Sequence, residues 1–331
     1  MSSANSTDSP LEAAAGVAGT EATEAFGLLA NETRLAILLA LWEAKEPERP
    51  RSEQAVPFSK LYERVAIGDS GNFTYHLDKL DGTFVRSTEE GYKLTNTAAR
   101  VLRAVFAGTL TEDRSFEGEP SDFECYRCGS SLVVDYTDEN ETIQRCPDCE
   151  GAYRWPEYPS GMVAHADLPP AALENRTPQE MQRKGNTWIR NRLMTLLNGV
   201  CPDCAGKITT TTHVCDDHDA PEGTVCDNCG SVYEVRLLHV CEVCKFDWWL
   251  SLGLHVVTEL PVKVFYHDHG IDLESAMDES SITVLYDTIE EQTVVSEDPL
   301  ELLVRVELDG DRLDVTLDDA GDVLDVSETA D

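Results

Sequence analysis

Apolar residues over 21–110 recur at helical spacing and break at places that predict separate elements. Phe26, Leu29, Leu35, Ile37, Leu38 and Leu41 form one stripe, interrupted by Asn31-Glu32-Thr33-Arg34. That interruption predicts a short helix ending near Ala30 and a longer one over Thr33–Ala44. Prolines then make 46–57 a loop. Phe58–Val65 reads as a brief helix, Gly68 to Gly71 as a turn with an N-cap, and Ser70–Leu80 as a further helix. Phe84–Ser87 and Tyr92–Thr95 flank Glu89-Glu90-Gly91 as a β-hairpin, and Asn96–Leu110 closes the segment as an amphipathic helix.

Downstream the period changes. Leu132–Tyr136 and Thr142–Arg145 read as short strands, and Pro156, Pro159, Pro169 and Pro170 mark a connecting stretch. Thr177-Pro178-Gln179-Glu180 is a capping box that opens a helix or helix pair over 178–198, with Gly185 as its weak point. Ile282–Tyr286, Leu302–Leu308 and Leu313–Leu317 alternate as strands do, and Asp309-Gly310 is a hairpin turn. The expected organisation is a disordered tail (1–20), a helical domain (21–112), an acidic linker (113–122), a small module (123–155), a Pro-rich linker and helix (156–200), a Cys-rich module (201–270) and an acidic β domain (271–331). The fold class is α+β and multidomain.

Charge sharpens this division. The chain of 331 residues carries 62 acidic and 26 basic side chains, a net of −36, and only 8 of the basic residues are Lys. Acidic residues spread along the whole chain suit a halophilic cytoplasm, where screening is nearly complete within ~3 Å at 1 M salt. Residues 21–110 hold 11 basic and 13 acidic side chains, so they are close to neutral. A polyanion partner is therefore expected there. No run of 18 apolar residues occurs, and MSSANSTDSP has neither the basic start nor the apolar core of a signal peptide. A cytoplasmic protein without a membrane partner is the expectation.

The 11 cysteines are an odd number, which excludes a complete intrachain disulfide set. Ten fall into five C-x-x-C pairs: Cys125/Cys128, Cys146/Cys149, Cys201/Cys204, Cys226/Cys229 and Cys241/Cys244. The eleventh, Cys215, precedes His218 by three residues and makes a sixth pair; His213 is the plausible substitute for His218. Six pairs supply twelve ligands, which is three tetrahedral zinc ions per chain with none left over. A redox dithiol protein would need one or two such pairs. The 17 residues between Cys128 and Cys146 suit a zinc ribbon.

The four pairs in 201–244 can divide in two ways. Residues 206–214 and 231–240 each read as one strand, and a straight strand of ten residues carries its ends about 33 Å apart. That favours a long hairpin with one zinc at each end: Cys201/Cys204 with Cys241/Cys244 at the base, and Cys215/His218 with Cys226/Cys229 at the tip. This nested order resembles the cysteine-rich domain of DnaJ-type chaperones. Two sequential mini-ribbons, with bent strands, are the alternative.

The order helix, short helix, turn, helix, hairpin, helix over 21–112 is that of a winged helix-turn-helix. LANETRLAILLAL and GDSGNFTYHLDKLDGTFVRSTEEGYKLT resemble the first core helix, the recognition helix and the wing of ArsR-like transcriptional regulators. The resemblance is closest to the haloarchaeal branch, in which zinc-binding modules follow the winged helix. It implies double-stranded DNA as partner, a homodimer, and DNA contacts from Asn72, Thr74, Tyr75 and His76.

The residues support that implication independently. Phe73, Leu77 and Leu80 should face the core, leaving Asn72, Thr74, Tyr75 and Lys79 outward and His76 at the margin. Asn suits a bidentate contact to adenine, and the others suit phosphates or thymine methyls. Arg86 and Lys93 offer the wing two cations, although Glu89 and Glu90 at its tip repel phosphate. Arg183, Lys184, Arg190 and Arg192 read as a solvated helix face, and His267 and His269 as a helix end capped by Gly270. Closed ligand sets leave no open metal position, so no enzyme is expected. The leading expectation is a sequence-specific DNA-binding regulator. The rival is a zinc-ribbon scaffold that binds a protein partner through its zinc modules.

Overall fold

The computed structural model describes residues 23–109, 114–221, 224–273 and 288–329, apart from 47, 49 and 51–53, together with 275. The tail expected at 1–20 and the strand expected at 282–286 lie outside the described residues. The chain divides into two compact units, Met1–Thr111 and Glu112–Asp331. It is an α+β protein.

In the first unit, α1 (Thr23–Leu29) and α2 (Glu32–Glu43) meet at 81°. Asn31 makes the break: it is extended, and its side chain accepts a hydrogen bond from the Arg34 amide at 3.1 Å. Helix α3 (Phe58–Val65) ends in left-handed Ala66. Helix α4 (Ser70–Leu80) starts at Asp69, whose carboxylate accepts from the Gly71 amide at 2.8 Å. Strands β1 (Val85–Thr88) and β2 (Gly91–Leu94) form the hairpin. Gly91 is obligatory, since it sits at φ +140° and a Cβ there would run into the Val56 carbonyl. Helix α5 (Asn96–Phe106) stops earlier than its apolar period suggests, ahead of Gly108 at φ +83°. Ile37, Leu38, Leu61, Phe73, Leu77, Leu80, Phe84, Val85 and Leu102 are buried together. A hairpin beside a helical core of this order is consistent with a winged helix.

The second unit opens with an antiparallel sheet in chain order: β3 (Phe116–Glu124), β4 (Ser131–Tyr136), β5 (Glu141–Arg145) and β6 (Met162–Asp167). This corrects the acidic linker expected at 113–122. Most side chains of β3 are exposed, but Phe116 stacks on Tyr136 and Phe123 is buried, which is enough to hold an edge strand. Pro120 is tolerated because β3 is at the edge. Strand β6 also arises inside the expected Pro-rich linker.

Helix α6 (Pro178–Leu197) is unbroken at Gly185. The missing side chain there admits Leu168, whose Cδ2 a Cβ would approach to 2.9 Å. Strands β7 (Ile208–Val214) and β8 (Val235–Cys241) pair from Ile208–Cys241 to Val214–Val235, and β9 (Asp247–Ser251) adds to β8. Helices α7 (Leu252–His255) and α8 (Leu260–Asp268) follow, the latter ending ahead of Gly270 at φ +77°. Strands β10 (Ile289–Glu297), β11 (Leu300–Leu308), β12 (Asp311–Leu317) and β13 (Val323–Thr329) form a meander. Asp309 and Gly310 both have positive φ in its tight turn.

The Cys-rich module and the acidic β region, expected as separate domains, share one hydrophobic core. Ile208, Val235 and Leu237 are buried with Val262, Phe265, Leu302, Val304, Leu313 and Val315. Polar contacts reinforce the joint: Thr212 donates to the Asp319 carbonyl at 2.7 Å, and the Gly253 amide donates to Gln292 at 2.8 Å.

Candidate metal centres and nucleic-acid interface

All twelve expected ligands gather into three groups of four: Cys125, Cys128, Cys146 and Cys149; Cys201, Cys204, Cys241 and Cys244; and Cys215, His218, Cys226 and Cys229. Within each, the ligand atoms lie within 4.8 Å of one another. The spacings test what such a group can hold. A tetrahedral zinc with Zn–S near 2.3 Å has sulfur–sulfur edges of about 3.8 Å, and about 3.6 Å where a histidine nitrogen takes one corner. The separations are 3.7 Å for Cys125–Cys149, 3.5 Å for Cys128–Cys146, 3.6 Å for Cys201–Cys244 and 3.5 Å for Cys204–Cys241. Cys229 Sγ to His218 Nδ1 is 3.6 Å. The residues fit three tetrahedral metal ions.

Backbone geometry prepares the thiolates. Amides two residues beyond a ligand point at its sulfur in three of the pairs: Asp148 to Cys146 at 3.4 Å, Gly151 to Cys149 at 3.4 Å, Gly206 to Cys204 at 3.3 Å and Val243 to Cys241 at 3.4 Å. Hydrogen bonding by the Ser130 amide holds Cys128 down to about 7, the Asp219 amide brings Cys226 to about 7, and the Cys244 amide brings Cys241 to about 6. Burial pushes Cys229 up to about 11 and raises Cys125 as well. Four thiols this close do not all ionise by themselves, and a divalent cation is the charge that reconciles them.

The pairing in 201–244 is nested. Strands β7 and β8 stay straight, so their ends cannot share an ion, and the groups form at the base and the tip of the hairpin. His213 is not a ligand: it lies on β7 with its ring 4.7 Å from Trp249. The other unassigned histidines have packing partners. His165 meets Tyr158 Oη at 3.1 Å; His239 meets Thr210 Oγ1 at 3.0 Å and stacks 5.2 Å from His255. His269 bonds the Phe265 carbonyl and faces Asp311, and among the described residues neither it nor His267 joins a metal group.

The first group and the hairpin tip are not independent modules, as their separate domains suggested. Tyr126 Oη meets Tyr233 Oη at 2.9 Å, Arg127 donates to the Thr224 carbonyl at 3.1 Å, and the Val225 amide donates to Glu150 at 3.0 Å. Val232 and Arg154 add backbone bonds to Ala152 and Gly230, and Arg154 pairs with Asp227. Sequence reasoning missed these residues, as it missed Asn228, whose side-chain Nδ2 donates to Cys215 Sγ at 3.4 Å. Ligand spacing carries no signal for them. Gly161, at φ +84°, lets β6 pass against the Cys146 carbonyl, where a Cβ would clash.

With this geometry in hand, two family models match. Residues 122–323 match one described as Domain of unknown function (DUF7351), which covers more than half of the chain. The chain belongs to the DUF7351 family. Residues 22–105 match a second model, Domain of unknown function (DUF7347). No curated protein matches the chain, and no solved structure does. The DUF7351 region thus contains all three metal groups, and the match over 22–105 spans the helices and hairpin of the first unit, short of the last residue of α5.

On α4 the expected faces separate cleanly. Phe73, Leu77 and Leu80 are buried, and Asn72, Thr74, Tyr75 and Lys79 are exposed. Tyr75 is 56 % exposed and carries the Lys79 ammonium 5.7 Å from its ring centre. Thr74 Oγ1 donates back to the Ser70 carbonyl at 2.9 Å. His76 is half-buried against Tyr75, and its Nδ1 is buried without a hydrogen-bond partner. Arg86 and Lys93 stand directly opposite each other on β1 and β2. In the DUF7351 region, the exposed Arg183 pairs with Asp122 at 2.7 Å and the largely covered Arg192 with Asp203 at 2.7 Å.

Proposed function

We propose that this protein is a DNA-binding transcriptional regulator of the ArsR-like kind, with its metal groups as structural zinc sites. The observation that supports it best is α4: one face packs into the core, and the other offers Asn72, Thr74, Tyr75 and Lys79 beside a hairpin bearing Arg86 and Lys93. Asn72 suits an adenine edge, and the wing cations suit flanking phosphates. His76 stands at the margin of this surface. Each metal group has four protein ligands, which suits a structural role and leaves no site for an activated water.

A homodimer is part of the proposal. Phe26 is 75 % exposed, and Leu35, Leu39 and Phe106 are also exposed on α1, α2 and α5. Exposed apolar residues on helices flanking a winged helix suit pairing with a second copy. We place the protein in a salt-rich cytoplasm on its net charge of −36.

The test is selection of genomic fragments by the full-length, zinc-loaded protein at multimolar salt. Counterion release contributes little there, so retained fragments must be read through bases and shape. Enrichment of one sequence motif supports the reading. Fragments enriched without a common motif, or no binding at all, would favour the protein-interaction scaffold.

A further inference from the structure

A cavity of about 230 Å³ in the first unit touches the reading above only through the wing cations. It lies among the end of α2, the hairpin and the start of α5. Lys45, Arg86, Lys93 and Arg103 line it, with Trp42, Leu41, Leu94 and Ala99 as its apolar part. Gln54, Thr95 and Asn96 complete the wall.

Composition does not explain this lining. Residues 21–110 hold more acidic than basic side chains, 13 to 11, yet among the described residues four cations and no carboxylate line the cavity. Among the described residues, none of the four cations has an ion-pair partner within 4 Å. The hairpin register adds a cost, because Arg86 and Lys93 are directly opposite and like charges so placed repel. All of these terms become favourable when an anion is present.

The size and the apolar wall narrow the class. The volume exceeds that of a single water and falls below the ~300–1,000 Å³ of a pocket for a drug-sized ligand. Trp42 is held in place by stacking on Phe106 at 5.3 Å, and the Lys45 ammonium lies 5.1 Å from its ring centre. We infer that this cavity binds a small organic anion, a phosphate or carboxylate carried on a compact apolar body. Arg103 and Lys45 hold the anionic group together with the wing cations, and the body rests against Trp42 and Leu41.

The pocket shares Arg86 and Lys93 with the surface proposed for DNA phosphates. An anion in it draws both cations inward, so anion and DNA oppose each other, and by linkage each weakens the other's affinity by the same factor. This coupling rests on the DNA reading; the binding of the anion does not.

The full-length, zinc-loaded chain is titrated with phenyl phosphate, with inorganic phosphate and phenol as controls, by calorimetry and by fluorescence. Trp42 is the single tryptophan of residues 1–111, so a Trp42→Phe variant identifies the response of this pocket. The expected result is saturable binding of phenyl phosphate, at least about tenfold tighter than either control. Lys45→Gln and Arg103→Gln should each weaken it about tenfold or more, the loss of a charge-assisted contact, with unchanged circular dichroism. No saturation with phenyl phosphate, equal affinity for inorganic phosphate, or unweakened binding in both variants would overturn the inference. So would a loss of DNA affinity in those variants with phenyl phosphate binding intact, which would make the cavity part of the DNA surface. If phenyl phosphate binds as expected but no DNA motif is ever selected, the pocket stands and the DNA reading fails.

Discussion

Tyr126 and Tyr233, 107 residues apart, meet hydroxyl to hydroxyl at 2.9 Å and join the first metal group to the tip of the β7–β8 hairpin. Around them, Arg127, Glu150 and Arg154 tie the two loops of ligands together. Two ion sites far apart in sequence thereby become one docked body. Replacing Cys128 and Cys146 by Ser should therefore speed zinc loss from the tip, seen as alkylation of Cys226 and Cys229, while Cys201 and Cys244 at the base stay protected. Tyr233→Phe should cost about 1 kcal/mol, the usual net worth of a hydrogen bond, in denaturant unfolding of the loaded protein. Equal alkylation rates at tip and base would show that docking does not couple the sites.

Elemental analysis of purified protein should give three zinc ions per chain. Structural zinc contributes on the order of 10 kcal/mol to small ligand-dependent folds, so chelation should unfold the second unit and leave the helical signal of 23–109. Replacing Cys226 and Cys229 by Ser should make Cys215 alkylatable while Cys241 and Cys244 remain protected. Reactivity at Cys241 and Cys244 without reactivity at Cys215 would contradict the nested groups.

Asn72→Ala or Tyr75→Ala should lower specific DNA affinity by about 1–3 kcal/mol if either reads a base edge. Both side chains are exposed, so the melting temperature should hardly change. Competition assays on the selected motif measure this. Unchanged affinity in both variants would remove α4 as the reading element.

The imidazole of His269 donates to the Phe265 carbonyl from Nδ1 and faces Asp311 from Nε2 at 3.3 Å, and these contacts raise its pKa above 6.5. A folded-state pKa above the unfolded one means stabilisation that is full below the unfolded value and is lost as pH rises through the folded one. His269→Gln should therefore destabilise more at about pH 6 than at about pH 9. Denaturant unfolding of the zinc-loaded protein at both pH values checks the sign; an equal or larger loss at the higher pH would refute it.

Local signals determined a great deal by themselves. The helices at 58–65 and 70–80, the Asp309-Gly310 turn and all twelve metal ligands follow from caps, periodicity and spacing within short windows. Even the nested pairing follows, because an unbroken strand keeps its ends apart. What the tertiary structure decided has its cause at long range. Strand β3 looks like a linker because its stability comes from Phe116 against Tyr136 and from Phe123, while its acidic residues are solvated. The acidic sheet joins the Cys-rich hairpin because Val304 and Val315 need an apolar surface that Leu237 and Phe265 supply. Lys45, Arg86, Lys93 and Arg103 lie up to 58 positions apart (103 − 45) and become one pocket because α2, the hairpin and α5 converge. Spacing along the chain reports contacts within one turn or one hairpin; burial between distant elements appears only once the chain has folded.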